Sequence, residues 1–186
     1  MITDEQAAIL SQVKDSTIDL PNLATITNRQ LELLSNAECL ELSGLTSITN
    51  EQAKILSKVP GLDLSGLTSI TDEQATSMVR WMATDQADLP DLKIMSIHLY
   101  LNGLTSITDK QAEILSQSKS GYLTLNGLTT VSDEQAKHLS KVAVSLFGSI
   151  SLRGLTSISE EQAKLLDHTD VKVSDAIKNQ IKEMRQ

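Results

Sequence analysis

The chain has 186 residues, of which 40% are apolar and 22% are charged, so it can bury a core and is not disordered throughout. Its net charge of −8 disfavours nonspecific binding to nucleic-acid phosphates or to anionic membranes. The one cysteine, Cys39, excludes an intramolecular disulfide and a multi-cysteine metal site, and no apolar run is long enough to cross a membrane.

A unit of about 22 residues recurs along the chain. A clear copy runs from Leu42 to Ala53 as Leu-Ser-Gly-Leu-Thr-Ser-Ile-Thr-Asn-Glu-Gln-Ala. A degenerate copy from Leu20 has Asn22 where the others have glycine. The units align on seven glutamines: Gln6, Gln30, Gln52, Gln74, Gln111, Gln135 and Gln162. The widest interval, 37 residues after Gln74, marks an insertion in one unit.

The chain opens on a helix signal capped by Thr3, with no strand before it. Residues 1–17 are therefore interpreted as an N-terminal cap or as a truncated unit of a longer array. Residues 18–170 form the repeats of one domain that spans 1–186. An N-terminal coil of this kind leaves open self-association with a second copy.

Each following unit begins with a strand signal. Leu40 and Leu42 alternate with polar residues, which places both leucines on one face of a short strand. The glycine after each strand, such as Gly44, indicates a position that needs a positive φ or a close approach of another backbone. Stacked units would align their leucines in one apolar row, formed by Leu40, Leu62, Leu99, Leu123 and Ile150.

A helix signal follows each strand. Thr49 and Gln52 form a capping box, Ser/Thr-x-x-Gln, and Ala53, Ile55 and Leu56 supply a narrow apolar stripe. Helices of about ten residues are marginal in isolation, so stacking must stabilise them. The pattern predicts an α/β solenoid of about seven units, with a parallel sheet on one face and short helices on the other, roughly 34 Å long at ~4.8 Å per strand.

The Leu-x-Leu strand, the 22-residue unit and the trailing helix resemble leucine-rich repeat proteins over nearly the whole chain. They are most similar to bacterial arrays of Gly-Leu-Thr-Ser-Ile-x-x-Glu-Gln-Ala units. The chain departs from the family where Leu45 and its equivalents replace the usual asparagine. The asparagine ladder should therefore be absent, leucine packing should replace it, and we expect a flatter array. The resemblance implies protein recognition through the strand face and no catalytic residues.

The insertion lies at about residues 78–95. A lengthened helix is predicted from Met78, Val79 and Trp81. The stretch 85–91 then predicts a polar loop, and a return strand is predicted to start at about Lys93. Trp81 either covers an enlarged core or belongs to an interaction lobe. Residues 171–186 read as a capping strand and a charged helix, in which Ile177, Ile181 and Met184 lie at helical spacing.

The outward positions of the strands are the candidate binding face. Both tyrosines of the protein lie there on adjacent units, and tyrosine is enriched at binding hot spots. The predicted partner site comprises His98, Tyr100, Asn102, Tyr122, Thr124 and Asn126. The alternative is that exposed tyrosines only pack across neighbouring strands.

Charge is uneven between the two halves of the chain. Residues 1–93 carry 6 basic and 14 acidic side chains, whereas residues 94–186 carry 10 of each. The outward acids Asp19, Glu41 and Asp63 could meet a basic partner, or they could serve only as a solvated surface.

No pattern in the sequence supports catalysis or a cofactor. His98, His138 and His168 lack the spacing of a zinc site, and Cys39 with His98 defines no nucleophile and base. His138 is interpreted as a half-buried helix residue. We therefore expect no metal, no cofactor and no enzymatic activity.

The sequence favours a non-enzymatic module that binds an unidentified protein through its strand face. One alternative is a structural spacer or stalk within a larger protein, and another is an acidic inhibitor that mimics nucleic acid. The single cysteine and the absence of a leader pattern favour the cytoplasm, whereas removal of a leader would imply a secreted or surface location.

Overall fold

The computed structural model describes residues 1–13, 17–83, 98–118, 120–144, 147–168 and 170–185. In these ranges seven strands alternate with eight helices along the chain. The strands are β1 Thr17–Asp19, β2 Cys39–Glu41, β3 Gly61–Asp63, β4 His98–Tyr100, β5 Ser120–Thr124, β6 Phe147–Ser151 and β7 Val171–Lys172. The helices are α1 Asp4–Leu10, α2 Asn28–Leu34, α3 Asn50–Leu56, α4 Asp72–Ala83, α5 Asp109–Leu115, α6 Asp133–Val144, α7 Glu160–Leu166 and α8 Asp175–Glu183.

The seven strands form one parallel sheet in chain order, from β1 to β7. The middle residue of each strand stands in register with that of the next, so Leu40 pairs with Leu62 and Leu62 with Leu99. These side chains are buried, and the apolar row predicted from the sequence is confirmed. The chain is thus an α/β solenoid with the sheet as one face and the helices as the other.

Every predicted capping box from α1 to α7 is present. In α3 the Thr49 hydroxyl accepts the amide hydrogen of Gln52 at 3.1 Å, and the Gln52 side chain accepts that of Thr49 at 2.9 Å. Ala53, Ile55 and Leu56 of this helix are buried against the core, as the apolar stripe predicts.

The same glutamines also join neighbouring units. The side-chain amide of Gln52 donates to the carbonyl of Ile26 at 2.7 Å, and that of Gln111 donates to Ile70 at 2.8 Å. We call this series the glutamine ladder, and its members are Gln30, Gln52, Gln74, Gln111, Gln135 and Gln162. The side-chain oxygen of each member accepts a backbone amide hydrogen at its own helix start, and the side-chain nitrogen donates to a carbonyl of the preceding unit. Hydrogen bonds as well as apolar packing therefore hold neighbouring units together.

The repeated glycines mark close backbone approach. A Cβ on Gly127 would lie 2.5 Å from the carbonyl oxygen of Leu104 and closer still to that of Asn102. Positive φ is not the reason, because Gly121 is the one glycine with positive φ, at 116°, in the described ranges. Asn22 fills the equivalent turn beside β1, which has no described strand on its outer side.

Leu45 and its equivalents, the leucines that follow the repeated glycines, are buried as predicted. They are Leu45, Leu67, Leu104, Leu128 and Leu155. The lengthened helix of the insertion is also confirmed, since α4 has 12 residues where α3 has 7. The predicted polar loop at 85–91, the return strand from about Lys93 and the side chain of Trp81 lie outside the described residues.

The two ends of the solenoid differ in what they expose. At one end Val171 and Lys172 form the last strand, and Ile177 and Ile181 of α8 are buried as predicted. Met184, the third predicted position, is exposed. At the other end Ile9 lies 65% exposed on α1, and self-association there stays a prediction. None of the described helices is both long and apolar enough to span a membrane.

Candidate functional site

Three aromatic side chains meet on the outward face of the sheet, at the centre of the predicted partner site. His98 and Tyr100 lie on β4 and stack with their ring centroids 6.0 Å apart and their planes 14° apart. Tyr122 on β5 stands edge-on to both, at 5.9 Å from His98 and 6.4 Å from Tyr100. We call these residues the aromatic cluster. Strand register brings them together, because His98 pairs with Tyr122 in the sheet.

A lysine from two strands away joins the cluster. The Lys172 ammonium nitrogen on β7 lies 4.6 Å from the ring centroid of Tyr122 on β5, a cation–π contact. The intervening strand β6 presents Ser149 and Ser151 on this face, and these small residues leave room for the lysine chain to cross. Lys172 is absent from the partner site that the sequence predicts. The sequence pattern that could have identified this contact is a long cationic side chain that is separated from a tyrosine by a strand with two serines on the same face.

Thr124 forms the floor of the site rather than its rim. It pairs with Tyr100 and Ser151 in the sheet, and its side chain lies on the same face as theirs. It is only 3% exposed, and its hydroxyl oxygen is buried without a hydrogen-bond partner. The Nδ1 of His98 is likewise buried and unpartnered. Two unsatisfied polar atoms therefore lie within or beneath the aromatic cluster.

Asn102 and Asn126 lie beside the cluster and join consecutive turns. The Asn102 side chain donates to the Ser65 hydroxyl at 3.2 Å and accepts the amide hydrogen of Asn126 at 3.1 Å. Asn126 accepts the Ser151 hydroxyl at 2.8 Å and the Arg153 amide hydrogen at 2.9 Å. Buried leucines occupy the position at which the sequence predicts that no asparagine ladder forms, but these two asparagines make a short ladder of their own just after the strands. Their role is thus partly structural, a role that the site prediction missed.

A row of carboxylates leads up to the cluster from the other end of the sheet. Asp19, Glu41 and Asp63 occupy successive strands in register, and Asp63 pairs with Tyr100. No described lysine, arginine or histidine forms an ion pair with any of the three. The carboxylate of Asp63 accepts the backbone amide hydrogen of Ser65 at 2.7 Å. The helix side differs, because there Lys110 pairs with Glu113 and several other acids pair in the same way.

Burial shifts the pKa values of three side chains in or beside the site. Desolvation lowers the pKa of His98, which favours a neutral ring. Desolvation also raises the pKa of Tyr100, and the nearby Cys39, Tyr122, Asp63 and Glu41 add to the effect. Burial raises the pKa of the Cys39 thiol, so its thiolate, the nucleophilic form, is disfavoured.

Across the described ranges no group of three or more His, Cys, Asp or Glu is placed to hold a metal ion. His138 on α6 is half-buried as predicted, with its Nε2 3.1 Å from a carboxylate oxygen of Glu134. What the sheet face presents is an aromatic centre between an acidic end and a basic end.

No protein-family model matches this chain, and no curated protein matches it.

Proposed function

We propose that the protein is a non-enzymatic recognition module that binds another protein through its strand face, with the aromatic cluster as the anchor. One observation carries this proposal: His98, Tyr100 and Tyr122 contact one another on the strand face while remaining partly exposed. Tyrosines of this kind add large contact area at low entropy cost and are enriched at hot spots.

The rigidity of the face supports the proposal. Each cluster residue stands on a strand that is paired on both sides, and the short asparagine ladder joins the turns beside it. Because the side chains already contact one another, a partner would order few groups on binding. The proposal also places the chain among leucine-rich repeat proteins, since the 22-residue unit and the Leu-x-Leu strands are typical of that family.

A second candidate function has an observation of its own. The unpaired carboxylates of Asp19, Glu41 and Asp63 favour an acidic inhibitor that occupies the basic surface of a nucleic-acid-binding protein. Such a complex would weaken strongly with salt, because exposed charge pairs are screened beyond about 10 Å at 0.1 M ionic strength. Capture that is insensitive to salt would contradict this second function.

The test is quantitative capture from a lysate of the source organism with three baits. They are the wild type, Tyr100→Ser/Tyr122→Ser on the strand face, and Lys137→Ser/Lys164→Ser on the helix face. Circular dichroism must show the same helix and strand content for all three. We expect a protein that the wild type and the helix-face variant capture equally and that the tyrosine variant loses. Equal capture by all three baits would move the site away from the cluster.

A further inference from the structure

The charge distribution on the strand face points to the chemistry of the partner. Asp19, Glu41 and Asp63 are directly opposite one another on neighbouring strands, and like charges in that position destabilise a sheet. Several acids of the helix face pair with lysines, as Glu161 does with Lys164. The three strand-face acids have no such partner among the described residues, so their negative potential is directed outward.

The row ends at a ring system that already attracts a cation. Asp63 stands beside Tyr100 in register, and the neighbouring ring of Tyr122 holds the Lys172 ammonium at 4.6 Å. One face of the Tyr122 ring is thus occupied, whereas Tyr100 stacks on His98 and stands beside the unneutralised acids. An aromatic ring beside a carboxylate suits arginine better than lysine, because a guanidinium can stack on the ring and hydrogen-bond the carboxylate through two nitrogens.

Thr124 supplies an independent sign of a missing ligand group. It continues the same row on the other side of Tyr100, is buried on this face, and lacks a partner for its hydroxyl. Buried hydroxyls are normally hydrogen-bonded, so one left without a partner needs an explanation. A hydrogen-bond donor that entered between Tyr100 and Tyr122 would satisfy it.

We propose that Asp19, Glu41, Asp63 and Tyr100, which we call the acidic–aromatic row, bind a basic segment of a partner protein with an arginine on Tyr100. This inference rests on the proposed function and adds the partner's chemistry to it. The row spans three strand intervals, about 14 Å at ~4.8 Å each, which is the reach of four or five extended residues. The partner segment lies across the strands, its further basic groups on Glu41 and Asp19.

The test uses three acetylated, amidated hexapeptides in NMR titrations of the labelled full chain: (Gly-Arg)₃, (Gly-Lys)₃ and (Gly-Glu)₃. We expect saturable shifts from (Gly-Arg)₃ at the amides of β1 to β5, affinity about threefold lower for (Gly-Lys)₃, and no saturation with (Gly-Glu)₃. Equal affinities for the arginine and lysine peptides, or shifts confined to the helices, would overturn the inference.

Charge-neutral variants make the test specific to the row. Glu41→Gln/Asp63→Asn keeps an oxygen for the Ser65 amide hydrogen, and we expect it to weaken (Gly-Arg)₃ about fivefold. The control Glu32→Gln/Glu183→Gln removes the same charge from exposed helix positions and should change the affinity less than about twofold. If both variants weaken (Gly-Arg)₃ binding equally, the effect comes from net charge alone and the inference is overturned.

The two proposals fail in different ways. If the tyrosine variant loses a captured protein but (Gly-Arg)₃ does not bind the row, the inference is wrong and the recognition function stands. If that captured protein is retained by the tyrosine variant and (Gly-Arg)₃ binds the helix face, both are wrong.

Discussion

Replacing one rung of the glutamine ladder should destabilise the fold far more than the same change at a glutamine that only caps a helix. In Gln111→Glu the new side chain can still accept the Thr108 amide hydrogen, as Gln111 does at 2.9 Å. It cannot donate to the carbonyl of Ile70, which Gln111 contacts at 2.8 Å across a gap of 41 residues in sequence.

The magnitude follows from what this substitution leaves behind. A buried carbonyl without a donor costs about 1–3 kcal/mol, and a carboxylate facing that carbonyl oxygen adds to the loss. We expect Gln111→Glu to lower the free energy of unfolding by about 2–4 kcal/mol at neutral pH. Gln6→Glu is the matched control, because Gln6 is exposed and makes the capping-box bonds to Thr3 with no described bond to another unit. It should shift stability by less than about 0.5 kcal/mol.

The assay is urea unfolding followed by far-UV circular dichroism, with equal m-values required before stabilities are compared. Acid provides a further check on the sign. Protonation of the new carboxyl restores a donor, so its folded-state pKa should rise above the ordinary glutamate value of about 4.3. The deficit relative to Gln6→Glu should then be complete at pH 7 and shrink as the pH falls through that range. Equal stabilities of the two variants at pH 7 would show that the ladder hydrogen bonds between units do not stabilise the fold.

Three more predictions concern other contacts. Gly127→Ala should destabilise the fold by about 2 kcal/mol or more in the same urea assay, because backbone oxygens meet the new Cβ; Gly61→Ala should cost less, since the nearest atom there is the Cys39 sulfur at 3.0 Å. Thr124→Val should raise the free energy of unfolding by about 1 kcal/mol, because it removes a buried hydroxyl that has no hydrogen-bond partner. Ser151→Ala should lower it, because the hydrogen bond to Asn126 is lost. A loss of stability in both variants would show that the Thr124 hydroxyl is satisfied in the folded protein. His98 should titrate below 6.5 by NMR, and stability should fall as the pH drops through that value, since the unfolded chain binds the proton more readily; a midpoint at or above 6.5 would show that burial does not govern the ring.

Much of the fold was predictable because one unit repeats. Seven capped helices with an apolar stripe, six of them preceded by a Leu-x-Leu or Ile-x-Leu strand, leave few arrangements in which each unit can bury its apolar residues. The glutamine ladder could also have been predicted from the sequence. A capping box accepts glutamate as well as glutamine, yet all seven units carry glutamine, which alone can also donate a hydrogen bond.

The site was harder to predict because it depends on departures from the repeat. Periodicity placed His98, Tyr100 and Tyr122 on one face, and strand register then brought their rings together. It could not show that Thr124 would be buried beneath its neighbours. Nor could it show that Lys172 would reach over two serines, because that contact depends on the lengths of side chains that stand two strands apart.

The central claim is that the aromatic cluster anchors a protein partner. Its most direct test is the dissociation constant of the captured partner for the wild type and for the two double variants. Loss of a hot spot costs about 2 kcal/mol, so we predict at least about 30-fold weaker binding for Tyr100→Ser/Tyr122→Ser. Lys137→Ser/Lys164→Ser should bind as the wild type does. Unchanged affinity in the folded tyrosine variant would contradict the account.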